Sequence, residues 1–158
     1  MACRLLNERQ TVEAIEVAQM SEKTTILVVD DEEVVRRSYV RALAGAHCSV
    51  ETAWNGEEAL RVMSNEPFDV VLLDQRMPGM DGMTVLRAIK ENWPESEVIV
   101  ITGYPEVDAA KQAVRLGAYD YLAKPVGPDE VISAANGAML HKRWALRCDR
   151  EVQRTGSH

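Results

Sequence analysis

The sequence predicts a doubly wound α/β fold on a five-stranded parallel sheet, and three observations predict it. Between residues 24 and 147, extended apolar runs recur near 25–30, 48–53, 69–74, 97–102 and 120–124. Short apolar runs closed by a polar residue or turn signal are what strands buried on both faces look like. Segments of helical spacing separate them, a (βα)5 rhythm that implies right-handed crossovers and helices on both sheet faces. Asn55-Gly56, Pro78-Gly79, Asp81-Gly82 and Gly127-Pro128 punctuate the joins, as turn chemistry requires.

Each element has its own signal. Ile26–Val29 is a continuous strand that runs into Asp30-Asp31, and Val35, Tyr39 and Leu43 then recur at i, i+4, i+8. Cys48–Ala53 carries Ser49, Glu51 and Thr52, the most polar strand of the set, and is expected at a sheet edge. Ala59, Leu60 and Met63 mark the second helix. Val70–Leu73 is the most apolar and so the most central strand, and it ends in Asp74. Met83, Leu86 and Ile89 follow at i, i+3, i+6. Val98–Ile101 ends in Thr102, and Val107, Ala110 and Val114 then recur at i, i+3, i+7 as the expected inner face of the fourth helix. Tyr121–Ala123 leads to Lys124-Pro125. Val131, Ile132, Ala135, Ala138 and Met139 form the core-facing stripe of the last helix.

The two ends differ from this body. Residues 1–22 read as an N-terminal extension, either a helix carrying Leu5, Val12, Ile15 and Ala18 or a frayed tail, and Met20-Ser21 reads as a natural start before strand 1. Residues 23–141 form the single expected domain. Beyond Leu140 the register fills with Lys142, Arg143 and Arg147, so residues 142–158 read as an extension of the last helix and a disordered tail from Thr155. Trp144 and Leu146 within it are a candidate seam for a homodimer.

Bulk properties exclude several classes. The 46% hydrophobic and 27% charged content is that of a globular protein, and the 158-residue length suits one domain with extensions. A net charge of −7 without a long Lys/Arg run argues against direct nucleic-acid binding by the domain body. No run approaches a membrane span, and the N-terminus lacks the apolar region of a signal peptide. Cys3, Cys48 and Cys148 are far apart and in no metal-ligand spacing, which suits a reducing cytoplasm. His47, His141 and His158 read as surface residues.

In an open parallel sheet, ligands bind outside the carboxyl ends of the strands. Asp30, Asp31, Asp74, Thr102 and Lys124 all stand at such ends. Three carboxylates suit a hard divalent cation such as Mg2+, which prefers oxygen ligands. Asp74 is the best nucleophile candidate, a carboxylate able to form an acyl phosphate, while Thr102 and Lys124 suit contacts with phosphoryl oxygens. Each residue also has a structural reading by itself. Asp31 can cap a helix starting near Glu32, a strand-end Thr is commonly structural, and a Lys before Pro is commonly a solvated loop residue. The conjunction of four strand ends carries the case.

The motifs Ile-Leu-Val-Val-Asp-Asp at 26–31, Leu-Leu-Asp-Gln-Arg-Met-Pro-Gly-Met-Asp-Gly at 72–82, Ile-Thr-Gly at 101–103 and Leu-Gly-Ala-Tyr-Asp-Tyr-Leu-Ala-Lys-Pro at 116–125 resemble the receiver domain of two-component response regulators. The resemblance spans roughly residues 24–140. It implies a flavodoxin-like sheet of strand order 2-1-3-4-5 and a phosphorylation-dependent switch rather than a turnover enzyme. Asp74 would take a phosphoryl group from a histidine kinase or phosphotransfer protein. Asp31 would ligate Mg2+ directly and Asp30 mainly through water, with the backbone carbonyl of Arg76 as a further ligand. Thr102 and Tyr121 would be the switch residues, Lys124 would contact the phosphoryl group, and Lys124-Pro125 would be a cis bond. The partner controlled by the switch would be an effector protein or an output domain outside this chain, since no such domain follows Lys142. The Leu116–Pro125 segment resembles receivers that precede a central ATPase domain.

Three other readings are weaker. An Asp-nucleophile phosphohydrolase of the haloacid dehalogenase type wants a second Asp where Arg76 stands. A flavodoxin-like cofactor binder wants a Ser/Thr/Gly-rich phosphate loop where Asp30-Asp31-Glu32-Glu33 stands. A pseudo-receiver would lack one of the site residues, and none is missing.

Overall fold

The computed structural model describes residues 23–44 and 47–156. The readings made for residues 1–22 and for His158 lie outside them. In chain order the described elements are β1 (Thr24–Val29), α1 (Glu33–Leu43), β2 (Cys48–Ala53), α2 (Gly56–Asn65), β3 (Val70–Asp74), α3 (Gly82–Asn92), β4 (Glu97–Thr102), α4 (Val107–Arg115), β5 (Asp120–Ala123) and α5 (Pro128–Thr155). The strands form one parallel sheet in the order β2-β1-β3-β4-β5. The doubly wound expectation and its strand order hold.

The side-chain alternation of the strands sorts residues to the two faces. Ile26, Val28, Val70, Leu72, Ile99 and Ile101 pack with Tyr39 and Leu43 of α1 and with Val131, Ala135 and Ala138 of α5. Leu27, Val29, Val71, Leu73, Val98 and Val100 pack on the other face with Met63 of α2, Leu86 and Ile89 of α3, and Ala113 of α4. Every residue of β3 and β4 is buried. Each full burial of a Val, Leu or Ile side chain contributes about 1.5–3 kcal/mol, so the apolar residues of these two strands supply a substantial share of the burial energy.

Three local expectations are corrected. β5 stands at the sheet edge that the expected strand order gives it, but its apolar run, expected to be covered on both faces, is only partly buried. In α4 the predicted inner residues Val107 and Val114 are 72% and 64% exposed, while Ala113 is fully buried and Ala109 and Leu116 pack beside it. The inward stripe is therefore Ala109, Ala113 and Leu116, and the two alanines let the helix lie close to the sheet. At the other terminus Thr155 is still helical, its Oγ1 donating to the Glu151 carbonyl at 3.1 Å. No helix among the described residues is long and apolar enough to cross a membrane.

Candidate phosphoacceptor pocket

The sheet register sets the pocket. Val29 lies opposite Leu73, and Asp74 lies opposite Ile101, so Asp30 and Asp74 leave adjacent strands at one level with Thr102 just beyond. Asp30, Asp74 and Thr102 are buried, whereas Asp31 is exposed. One carboxylate oxygen from each of Asp30, Asp31 and Asp74 lies within 4.8 Å of the others. Lys124, carried in from β5, sets its ammonium 2.8 Å from Asp30 Oδ2 and 3.6 Å from Asp74 Oδ1. The Lys124-Pro125 peptide bond is cis.

The surrounding loops fix these groups. The Glu32 backbone N–H donates to Asp30 Oδ1 at 2.9 Å, and Arg36 donates to the Asp30 carbonyl at 2.7 Å. Asp31 does not take the capping role that its alternative structural reading allowed: the residue at the cap position is Glu32, with no side-chain capping bond, and it is Asp30 that accepts from the chain at Glu32. Gly82 closes the loop after β3 by donating to the Gln75 carbonyl at 3.0 Å, and a Cβ at residue 82 would stand 2.5 Å from the Asp74 carbonyl oxygen. Only glycine fits there.

Electrostatics follow from this crowding. Burial, then the Asp30 charge, push the Asp74 carboxyl up to about 6, against the opposing pull of Lys124. Burial by itself would lower the Lys124 ammonium, but its hydrogen bond to Asp30 and the charges of Asp30 and Asp74 outweigh that and hold it above the ordinary lysine value. One ammonium thus faces three carboxylates. Oxygen donors of this hardness, with negative charge left over, fit a divalent cation of the Mg2+ type.

At the mouth, the Arg76 guanidinium stacks 4.5 Å from the centre of the Tyr104 ring and pairs with Glu106 at 3.3 Å. The Tyr104 N–H donates to Thr102 Oγ1 at 3.1 Å, and the Arg76 N–H reaches Asp74 Oδ1 at 3.4 Å. Tyr121 is half-buried, and its hydroxyl donates to Gln75 Oε1 at 2.7 Å.

Residues 26–136 match the family model of the response regulator receiver domain. The chain belongs to that family. This receiver domain is 42% identical over 116 residues to the DNA-binding transcriptional regulator NtrC of Escherichia coli K12, covering 73% of this chain and 25% of NtrC. It therefore spans about a quarter of the length of that relative. Among solved structures it resembles NtrX from Brucella abortus, with a TM-score of 0.78 and 31% identity over 84% of this chain and 30% of NtrX. A receiver domain protein from Clostridium thermocellum matches with a TM-score of 0.73 and 35% identity over 77% of this chain and 98% of that one.

Sequence reading missed four residues around the receiver pocket. Arg36, Gln75 and Glu106 act on Asp30, Tyr121 and Arg76 through contacts that no spacing announces. Gly82 was legible as a turn residue, but its approach to the Asp74 carbonyl was not.

Proposed function

We propose that Asp74 accepts a phosphoryl group from a histidine kinase or phosphotransfer protein, and that the Thr102/Tyr121 face then changes to control an effector or output domain. The convergence of three carboxylates and one ammonium at the end of the central strand carries this reading. In the transfer, an Asp74 carboxylate oxygen forms a bond to phosphorus while the bond from phosphorus to the donor imidazole nitrogen breaks, leaving its electron pair on that nitrogen. Asp30, Asp31, Asp74 and the Arg76 backbone carbonyl would hold Mg2+. When bound, the cation offsets carboxylate charge and polarises the phosphoryl group. Lys124, already between Asp30 and Asp74, can turn from them to a phosphoryl oxygen.

Two tethers support the proposed switch. Thr102 Oγ1 now accepts from Tyr104 N, and Tyr121 donates to Gln75. A phosphoryl group on Asp74 offers Thr102 a charged acceptor in place of a backbone contact. Movement of Thr102 makes room beside β4 into which the Tyr121 ring can turn, at the loss of its bond to Gln75. The setting we propose is the cytoplasm, with a homodimer among the activated forms.

Incubation with Mg2+ and acetyl phosphate, read by intact mass, tests the proposal. One labile phosphate is expected in the wild type and none in Asp74→Asn. Equal labelling of both would sink the idea, and steady turnover of many phosphate esters would favour the hydrolase. Cation binding has its own readout. At ten times its dissociation constant Mg2+ should stabilise the fold by about 1.4 kcal/mol, measured as a rise in urea midpoint. That rise should shrink in Asp31→Ala. An unchanged midpoint in the wild type would remove Mg2+ from the reading.

A further inference from the structure

The end of the sheet opposite the pocket, where the strands begin, carries a second constructed feature. Asp69, just before β3, accepts from Thr25 N at 3.0 Å and Thr25 Oγ1 at 3.1 Å through Oδ2, and from Lys142 Nζ at 2.6 Å through Oδ1. His141 Nδ1 lies 3.1 Å from Oε1 of Glu97, the first residue of β4. Together they clamp the middle of α5 across the base of β1, β3 and β4. Beyond the clamp α5 runs on to Thr155, and the angle between helix and sheet base encloses a groove of about 290 Å3.

The groove is unlike the rest of the molecule. The chain as a whole has a net charge of −7, yet five of the groove's ten lining residues are basic and two, Asp69 and Glu95, are acidic. Lys142 is matched by Asp69. The remaining wall, with Lys23, Arg143 and Arg150, is positive, and Met139 and Leu146 give it an apolar strip. Such a groove suits a segment that is both acidic and apolar.

The chain supplies one at the right place. Lys23 and Thr24, the first described residues, line the groove themselves, so whatever precedes them in the chain is tethered at its wall. Residues 10–22 contain Glu13, Glu16 and Glu22, no basic residue, and Val12, Ile15, Val17 and Met20 among them. Attachment at Lys23 holds this segment at an effective concentration on the order of millimolar, so a weak intrinsic fit suffices to populate docking. We propose that residues 10–22 dock in this groove within the same chain, their glutamates against the basic wall and their apolar residues against Met139 and Leu146, and so brace the α5 extension against the domain. The inference is independent of the chemistry at Asp74.

Hydrogen exchange of the full chain, read by mass spectrometry on peptides covering 10–22 and 139–150, tests it. In the wild type the 10–22 amides should exchange about tenfold or more slower than in an unfolded chain, the mark of a locally protected segment. V12D/I15D should abolish that protection and speed exchange at 139–150, while peptides from β3 and β4 stay unchanged and so report an intact fold. R143E/R150E should have the same effect, and adding E13R/E16R to it should restore protection. Exchange of 10–22 at unfolded rates in the wild type overturns the proposal. So does a 139–150 region indifferent to V12D/I15D, or protection that survives R143E/R150E. Protection that grows with protein concentration overturns it too, by placing the segment on a second copy.

Discussion

Asp74 is an acid held against its own preference. Its carboxyl sits near 6 because burial and Asp30 disfavour the charge. An unfolded Asp titrates near 3.9, so the folded state binds the proton more tightly between about pH 4 and pH 6. Stability is therefore fully present below the unfolded value, declines as pH rises through that window, and stays reduced above it. In metal-free buffer Asp74→Asn should stabilise the protein at pH 7 by about 1–2 kcal/mol, and the gain should vanish near pH 4. Urea titrations at both pH values measure this; an equal gain at pH 4 would assign the effect to packing. The mouth residues make a second case. Arg76 bridges Tyr104 and Glu106 above Asp74, on solvent-exposed contacts. Such contacts contribute about 0.5–1 kcal/mol, so Arg76→Ala should shorten the lifetime of the Asp74 phosphate by about two- to fivefold if the bridge screens water. A lifetime unchanged in Arg76→Ala and in Tyr104→Ala would show that the bridge does not control access.

Elements differ in how openly the sequence declares them. β3 and β4 were legible because strands covered on both faces read as unbroken apolar runs, and their polar closures, Asp74 and Thr102, mark the pocket edge directly. β2 betrayed its edge position through Ser49, Glu51 and Thr52. β5 showed no such polarity, since Tyr121 and Leu122 are apolar yet only half covered, and its edge position came from the family resemblance alone. α4 misled for a sharper reason. Its largest apolar residues face outward, while the face against the sheet is built from alanines, whose small size lowers their weight in any hydrophobic pattern. The two faces make opposite demands. Val114→Lys should change stability by no more than about 0.5 kcal/mol, as surface substitutions do. Ala113→Leu forces three extra carbons against a closed sheet and should cost about 1–3 kcal/mol. Denaturant midpoints of the pair decide it, and the reverse order would restore the stripe read from spacing. Contacts between elements, such as Tyr121 with Gln75 or Arg36 with Asp30, stayed hidden because nothing in sequence distance reports them.

At the scale of the whole molecule the parallel sheet separates two tasks by pointing every strand the same way. The carboxyl ends gather Asp30, Asp74, Thr102 and Lys124, while the amino ends gather Thr25, Asp69 and Glu97, which hold α5 through Lys142 and His141. The base group is poised oppositely to Asp74. Burial would raise the Asp69 carboxyl, but Lys142 and Thr25 outweigh it and hold it below the ordinary value. Its contribution is thus present above the unfolded value near pH 4 and is lost as pH falls through the folded one. Lys142→Ala leaves Asp69 with Thr25 alone and should cost about 1–2 kcal/mol at pH 7, as loss of a charged hydrogen bond does. Because the Asp69 cluster and the pocket lie at opposite ends of the sheet and share no partner, the same change should leave the yield of the proposed Asp74 phosphate within about twofold, since well-separated sites without shared partners act additively. Asp74→Asn should do the converse, removing the phosphate while strengthening the fold. Thermal midpoints and intact-mass yields on the two single variants and the double variant complete the cycle. A double variant that departs from the sum would mean that the base of α5 and the pocket communicate through the sheet, and that the two edges are one device rather than two.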